Sequence, residues 1–329
     1  MIERYSDKYK NAWDNFVLKE SCNGTFLQTR NFLEYHPADR FMDCSLIFMK
    51  GTNIIAVIPA SLQEQNSKKT MISHAGSTFG GIVLGRQYKK ISDLDMIFDE
   101  LTEYLIANDF SGIDLKMTSN LYSYQNMDVL DYYLLKYGFF DTAELGYYID
   151  LTQIHAGEFI SSFNGSRRRG LKKALKNEMV CNELITDEEM KMFYGILCNN
   201  MEKFDTKPVH TLAEILEFKN KRLCDIVKFY GIFKEEELIA GSMVFNFNNK
   251  QVFHTQYLAS DQNKLEFYPS EFLYYSLIRQ AKADDYHYIS FGTSTLEHGK
   301  VLNKGLAQFK EGFGTEVFVN RTYHKSIRR

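Results

Sequence analysis

The chain has 329 residues, 44% of them hydrophobic and 25% charged, with a formal net charge of −3. That length fits about two domains on the usual scale of roughly 100–200 residues each. The composition excludes a disordered or low-complexity polymer and a globally basic nucleic-acid coat, so only a local basic patch could contact RNA.

In chain order, Tyr9, Trp13, Phe16 and Val17 recur at i, i+4, i+7, i+8 and predict an amphipathic first helix. Apolar runs at 45–49 and 54–60 flank Lys50-Gly51-Thr52-Asn53, a hairpin signal. A stretch with Gly76, Gly80, Gly81 and Gly85 follows. Ser92 is then expected to cap a helix with the stripe Ile97, Leu101, Tyr104 and Leu105, and 113–117 reads as a strand. The second half repeats this order: strands at 226–233 and 238–247 about an acidic turn, then a turn at Asn248-Asn249-Lys250 and a strand at 252–258. Pro269-Ser270-Glu271 opens a helix to about Ala283, and 288–291 is the strand after it. With 26 Phe, 21 Tyr, only 4 Pro and no linker-like stretch, a large core and a tight domain boundary are expected. The boundary is placed between domains 1–152 and 153–329.

The halves also share residues. Ile47-Phe48-Met49-Lys50 parallels Ile232-Phe233-Lys234, and Asp109-Phe110-Ser111-Gly112-Ile113 parallels Asp285-Tyr286-His287-Tyr288-Ile289. The matching order of hairpin, strand, helix and strand points to an internal duplication.

The strongest local signal is basic. Arg167, Arg168, Arg169, Lys172, Lys173 and Lys176 crowd ten residues with no acid among them. On a helix Arg168, Lys172 and Lys176 line one face, where like charges repel by a few tenths of a kcal/mol per pair. A polyanion such as a pyrophosphate, CoA or an RNA end would offset that; a solvated helix face is the plain alternative. Further on, Phe309-Lys310 precedes Gly312-Phe313-Gly314, a cation beside an aromatic that could face an oxyanion or a substrate phosphate. No Ser-His-Asp or Cys-His order appears. His254 and Tyr257 are the bases considered on the strand 252–258; being three apart, they are expected on opposite faces.

Five cysteines (Cys22, Cys44, Cys181, Cys198, Cys224) at irregular spacings form no Cys-x-x-Cys, and the eight histidines form no metal-binding spacing. Reduced thiols, a cytoplasmic location and no metal are expected. The charged first residues do not read as a signal peptide, and no run approaches the about 18–20 apolar residues that cross a bilayer, so no membrane insertion is expected.

Several strings resemble the Fem-type aminoacyltransferases and their GNAT-related acyltransferase cousins, which carry two GNAT-like domains in one chain. They are Phe26-Leu27-Gln28-Thr29, Phe79-Gly80-Gly81-Ile82, the stretch from Ser166 to Ala174, Ile289-Ser290-Phe291-Gly292, and the stretch from Gly305 to Gly314. The resemblance implies an α/β fold of two tandem GNAT-like domains, each a mixed sheet with helices. It implies an N-acyltransferase passing an acetyl or aminoacyl group to an amine of a cell-envelope or polysaccharide precursor. The donor would be acyl-CoA or, alternatively, aminoacyl-tRNA, with a small-molecule amine as acceptor. Lys310, Tyr257 and His254 are the catalytic candidates; Arg167, Arg168, Lys172, Phe309 and Gly292 are the substrate- or phosphate-binding ones. The sequence departs from the family in that the stretch from Leu258 to Glu271 has no glycine for a phosphate loop, and no long helical insertion of the tRNA-contacting kind is present. A non-catalytic protein binding a phosphorylated ligand or RNA on the same duplicated fold is the alternative reading.

Overall fold

The computed structural model describes residues 1–327 except 38, 155–158, 204 and 248–250. The expected turn at Asn248-Asn249-Lys250 lies outside the described residues, as does His155. The chain divides into two units, residues 1–144 with 296–301 and 319–329, and residues 145–295 with 302–318.

In the first unit, residues 7–20 are helical, and Trp13, Phe16 and Val17 bury their stripe against Ile47, Val57 and Val83. The strands Leu46–Lys50 and Asn53–Ile58 pair antiparallel about the turn, as the sequence predicts. A second hairpin, Ser61–Gln65 with Lys68–Ser73, was not visible in the sequence. Its segment Gln63-Glu64-Gln65 is exposed and polar, so it lacks the apolar run that marks a strand. The helix Ile91–Ala107 then leads to the strand Phe110–Lys116, which lies parallel to Lys68–Ser73. Ser92 is not the cap: the helix begins after Lys90, which is extended and makes no side-chain cap bond. Ile97, Leu101 and Leu105 reach the core with Phe98 and Leu115, while Tyr104 packs at its margin.

In the second unit, Val227–Lys234 and Glu237–Phe247 turn on Glu235 and Glu236, whose positive φ angles (54° and 77°) suit the tight hairpin turns whose twist matches paired strands. Val252–Ser260 adds antiparallel, the helix Pro269–Ala283 follows, and Tyr288–Thr293 returns parallel to Val252–Ser260. Leu273, Leu277, Ile278 and Ala281 pack that helix onto the sheet residues Phe253 and Ile289. Each unit therefore contains a hairpin and a strand–helix–strand with a parallel pair, the repeat that the shared residues suggested.

Candidate functional site

The parallel strands of the second unit stay together only briefly. Val252, Phe253 and His254 pair with Tyr288, Ile289 and Ser290, and the Thr255 hydroxyl donates to the Ser290 carbonyl at 3.0 Å. Val252–Ser260 then runs on to Ser260 while Tyr288–Thr293 pairs only on its other side. That second strand bulges at Phe291, and Gly292 takes φ 68°, a conformation that favours glycine.

Half-buried carbonyls on a strand side that has lost its ladder need new donors. Lys310 supplies them: its Nζ donates to the carbonyls of Thr293 at 2.7 Å and Gly292 at 3.2 Å. The side chain belongs to the helix Lys304–Glu311 and is 4% exposed. Burial pulls its pKa down to about 7. Two of the three ammonium donors are used by these carbonyls. His254 stands at the same parting. Its Nδ1 is 3.1 Å from the Ser290 hydroxyl, and a Cβ placed on Gly292 would lie 3.7 Å from its Cε1. Burial, helped by the charge of Lys310, lowers the His254 pKa to about 4, so the ring is neutral at physiological pH. The structure thus brings Lys310, His254 and Gly292 together at one strand end.

The expectation that His254 and Tyr257 face opposite ways is corrected by a β-bulge. His254 pairs with Phe245 and Tyr257 with Met243, two residues apart on one strand, so both point to one face and Gln256 is the extra residue. The Tyr257 hydroxyl lies 2.8 Å from His210 Nδ1 and accepts the His210 backbone N–H at 3.4 Å. Burial pushes its pKa up to about 12, so it stays a phenol.

The basic stretch forms the helix Gly165–Ala174, N-capped by Asn164. Lys176 lies beyond its end, so the expected row of three cations on one helix face is a row of two, Arg168 and Lys172. Arg167 turns inward, pairs with Glu271 and stacks on Phe309 at 4.3 Å, while its buried Nε has no partner among the described residues. Glu271 sits in the first turn of Pro269–Ala283, so its charge, which on its own would repel an anion there, is balanced by Arg167. Residues 104 apart meet here, and neither carries a local signal of the pairing; the same is true of His210 with Tyr257. This helix start offers few backbone donors to a phosphate: Pro269 has no N–H, and Tyr268 before it is left-handed. The donor set therefore fits a phosphate through the Arg167 side chain and does not fit a glycine-loop cradle.

The corresponding parallel pair of the first unit stays closed. Ser73 remains paired with Leu115, and its hydroxyl accepts the N–H groups of Gly81 (2.8 Å) and Lys116 (3.0 Å). Gly80 donates to the Lys116 carbonyl, and a Cβ on it would lie 2.4 Å from Ser73 backbone carbon. Gln28, fully buried, donates to the Gly80 carbonyl and to Thr118. Two of the strings that carry the resemblance, around Gln28 and Gly80, therefore hold this strand end shut.

No family profile matches the sequence, and no curated protein is similar to it in sequence. Solved structures do match. The crystal structure of FemX superposes with a TM-score of 0.70 at 12% identity, covering 98% of this chain and 96% of that one. A conserved protein of unknown function from Bacteroides thetaiotaomicron gives 0.62 at 11%, with both chains fully covered. A tandem GNAT protein from the clavulanic acid biosynthesis pathway gives 0.55 at 8%, covering 100% and 99%. The chain has the tandem GNAT-like α/β fold of these proteins, as the resemblance implied.

Proposed function

We propose that this protein is an N-acyltransferase whose second unit carries the reaction. It would pass an acetyl or aminoacyl group to an amine of a cell-envelope or polysaccharide precursor. One observation carries the reading. The parallel strands part after Thr255 with Lys310 and His254 at the parting, whereas the equivalent place in the first unit is stitched shut. The fold shared with FemX and with the tandem GNAT protein supports it.

In this reading the donor carbonyl lies in the opening between residues 255–260 and 292–293. The acceptor amine adds to the carbonyl carbon, and the C=O electron pair moves to oxygen. The remaining ammonium donor of Lys310 stabilises that oxyanion. Neutral His254 takes the nitrogen proton, and collapse expels the thiolate or ribose oxygen of the donor. Nothing here requires a covalent enzyme intermediate, and positioning carries much of the rate. Arg167 meets the donor phosphate by exchanging Glu271 for it. Tyr257 is a positioning residue, tying the bulged strand to the segment at His210. The scarcity of backbone phosphate donors among the described residues at the start of the helix Pro269–Ala283 favours an aminoacyl ester of tRNA over CoA as the donor. Five free cysteines fit a reducing compartment, the cytoplasm.

The test is turnover. Acetyl-CoA and aminoacyl-tRNA are each offered with amino sugars and peptide amines, and product is measured by mass for the wild type and Lys310→Met. Turnover lost in the variant supports the reading. A folded protein inert with every pair, or a variant as active as wild type, defeats it.

A further inference from the structure

Gln256 is the residue that the bulge on Val252–Ser260 leaves without a partner in the ladder to Glu237–Phe247. Its side chain hydrogen-bonds to both groups that the bulge turns to one face, the His254 ring and the Tyr257 hydroxyl. In an unbroken strand, residues 254 and 257 face opposite ways, and one amide between them could not serve both.

Donor and acceptor roles then follow one from another. Gly292, at φ 68° in the bulge of the neighbouring strand, donates its N–H to the Ser290 hydroxyl at 3.2 Å. That bond takes a lone pair of the Ser290 oxygen and leaves its own hydrogen to point at His254 Nδ1, 3.1 Å away. A neutral imidazole carries one hydrogen, so a ring that accepts at Nδ1 holds it on Nε2. Gln256 receives that hydrogen with its carbonyl oxygen, which turns its amide N–H groups toward Tyr257. The phenol oxygen can accept them because its own hydrogen goes to His210 Nδ1, at 2.8 Å against 3.4 Å for the backbone N–H it accepts. From Gly292 through Ser290, His254, Gln256 and Tyr257 to His210, every bond then runs donor to acceptor in the same direction.

We infer that Gln256 is a positioning residue whose carbonyl fixes the hydrogen of His254 on Nε2, leaving Nδ1, beside Ser290, as the nitrogen that takes a proton. The partner of the far nitrogen thereby selects the basic one. The catalytic consequence rests on the acyl-transfer reading; the placement of the hydrogen does not.

The test is long-range proton–nitrogen NMR at pH 7 on protein labelled with 15N-histidine, the His254 signals being identified by their loss in His254→Asn. Wild type should show a pyrrole-like Nε2 and a pyridine-like Nδ1. Gln256→Glu, whose carboxylate can only accept, should keep that pattern, and Gln256→Lys, whose ammonium can only donate, should reverse it. With a donor and acceptor that turn over, Gln256→Lys should lower kcat about 10²-fold, as expected for a displaced general base. Donor KM should hold, and the change should cost nothing further in a His254→Asn background. A wild-type ring with its hydrogen on Nδ1, or a wild-type pattern in Gln256→Lys, would overturn the inference. The expected patterns in a protein that turns nothing over would support it and defeat the acyl-transfer reading instead.

Discussion

Lys310 Nζ reaches the Thr293 carbonyl at 2.7 Å, fastening a helix to the strand end where the parallel pair of the second unit comes apart. The same burial that makes this bond possible lowers the lysine's pKa to about 7. One residue thus serves both the fold and the proposed chemistry, and the two roles separate by measurement.

The catalytic role appears in rate. Lys310→Met should lower kcat/KM by about 10²–10³-fold, the usual effect of losing one oxyanion donor. In the wild type, kcat/KM should fall as pH rises through about 7, where free Lys310 loses its proton, and that limb should be absent from the residual activity of the variant. An unchanged limb in Lys310→Met would assign it to another group.

The structural role appears in stability against pH. The folded-state pKa of Lys310 lies below its ordinary 10.5, so between about pH 7 and 10.5 the unfolded chain holds one more proton than the folded one. Stability contributed by this group therefore rises with pH across that window, by at most about 1.4 kcal/mol per pH unit. Denaturant unfolding at pH 7 and pH 9 should show the rise in the wild type and a smaller one in Lys310→Met. Identical slopes would contradict the burial of an ionisable amine there.

Arg167 and Glu271 should respond with opposite signs. Arg167→Ala removes the phosphate's side-chain partner and is expected to raise the donor KM about 10–100-fold with kcat little changed. Glu271→Gln leaves the guanidinium unclaimed and should lower the donor KM. Parallel shifts in both variants would mean that the pair only braces the two helices.

Tyr257→Phe tests positioning against chemistry. Losing the contact with His210 should cost about 1 kcal/mol of stability and raise the acceptor KM, while kcat stays within about tenfold. A kcat collapse with an unchanged KM would make the phenol a catalytic group.

The first unit offers a control. Gly80→Ala places a methyl against Ser73 backbone and should destabilise by about 1–3 kcal/mol. Turnover per folded molecule should not change. If activity fell while stability held, the reaction would belong to the first unit.

Much of the fold was legible because its signals are local. The stripe of Trp13, Phe16 and Val17 and the hairpin around Gly51 follow from spacing and turn chemistry alone, as does the helix opened by Pro269. The hairpin at Ser61–Ser73 was hidden by its polar, exposed strand. The bulge at Gln256 reversed the relative facing of His254 and Tyr257, because one unpaired residue shifts the alternation and leaves no composition signal. Lys310, His254 and Gly292 could be named individually. Their meeting could not, since it depends on where two strands stop pairing. The inward turn of Arg167 among six cations is hidden for a similar reason: its partner, Glu271, lies 104 residues away in sequence.

The most direct test of the central claim is amide hydrogen exchange with and without acetyl-CoA, and separately with aminoacyl-tRNA. The account predicts that a bound donor slows exchange at residues 255–260 and 292–294 of the second unit and leaves residues 73–82 of the first unchanged. Protection confined to the first unit, or donor binding with no protection at the strand parting, would contradict it.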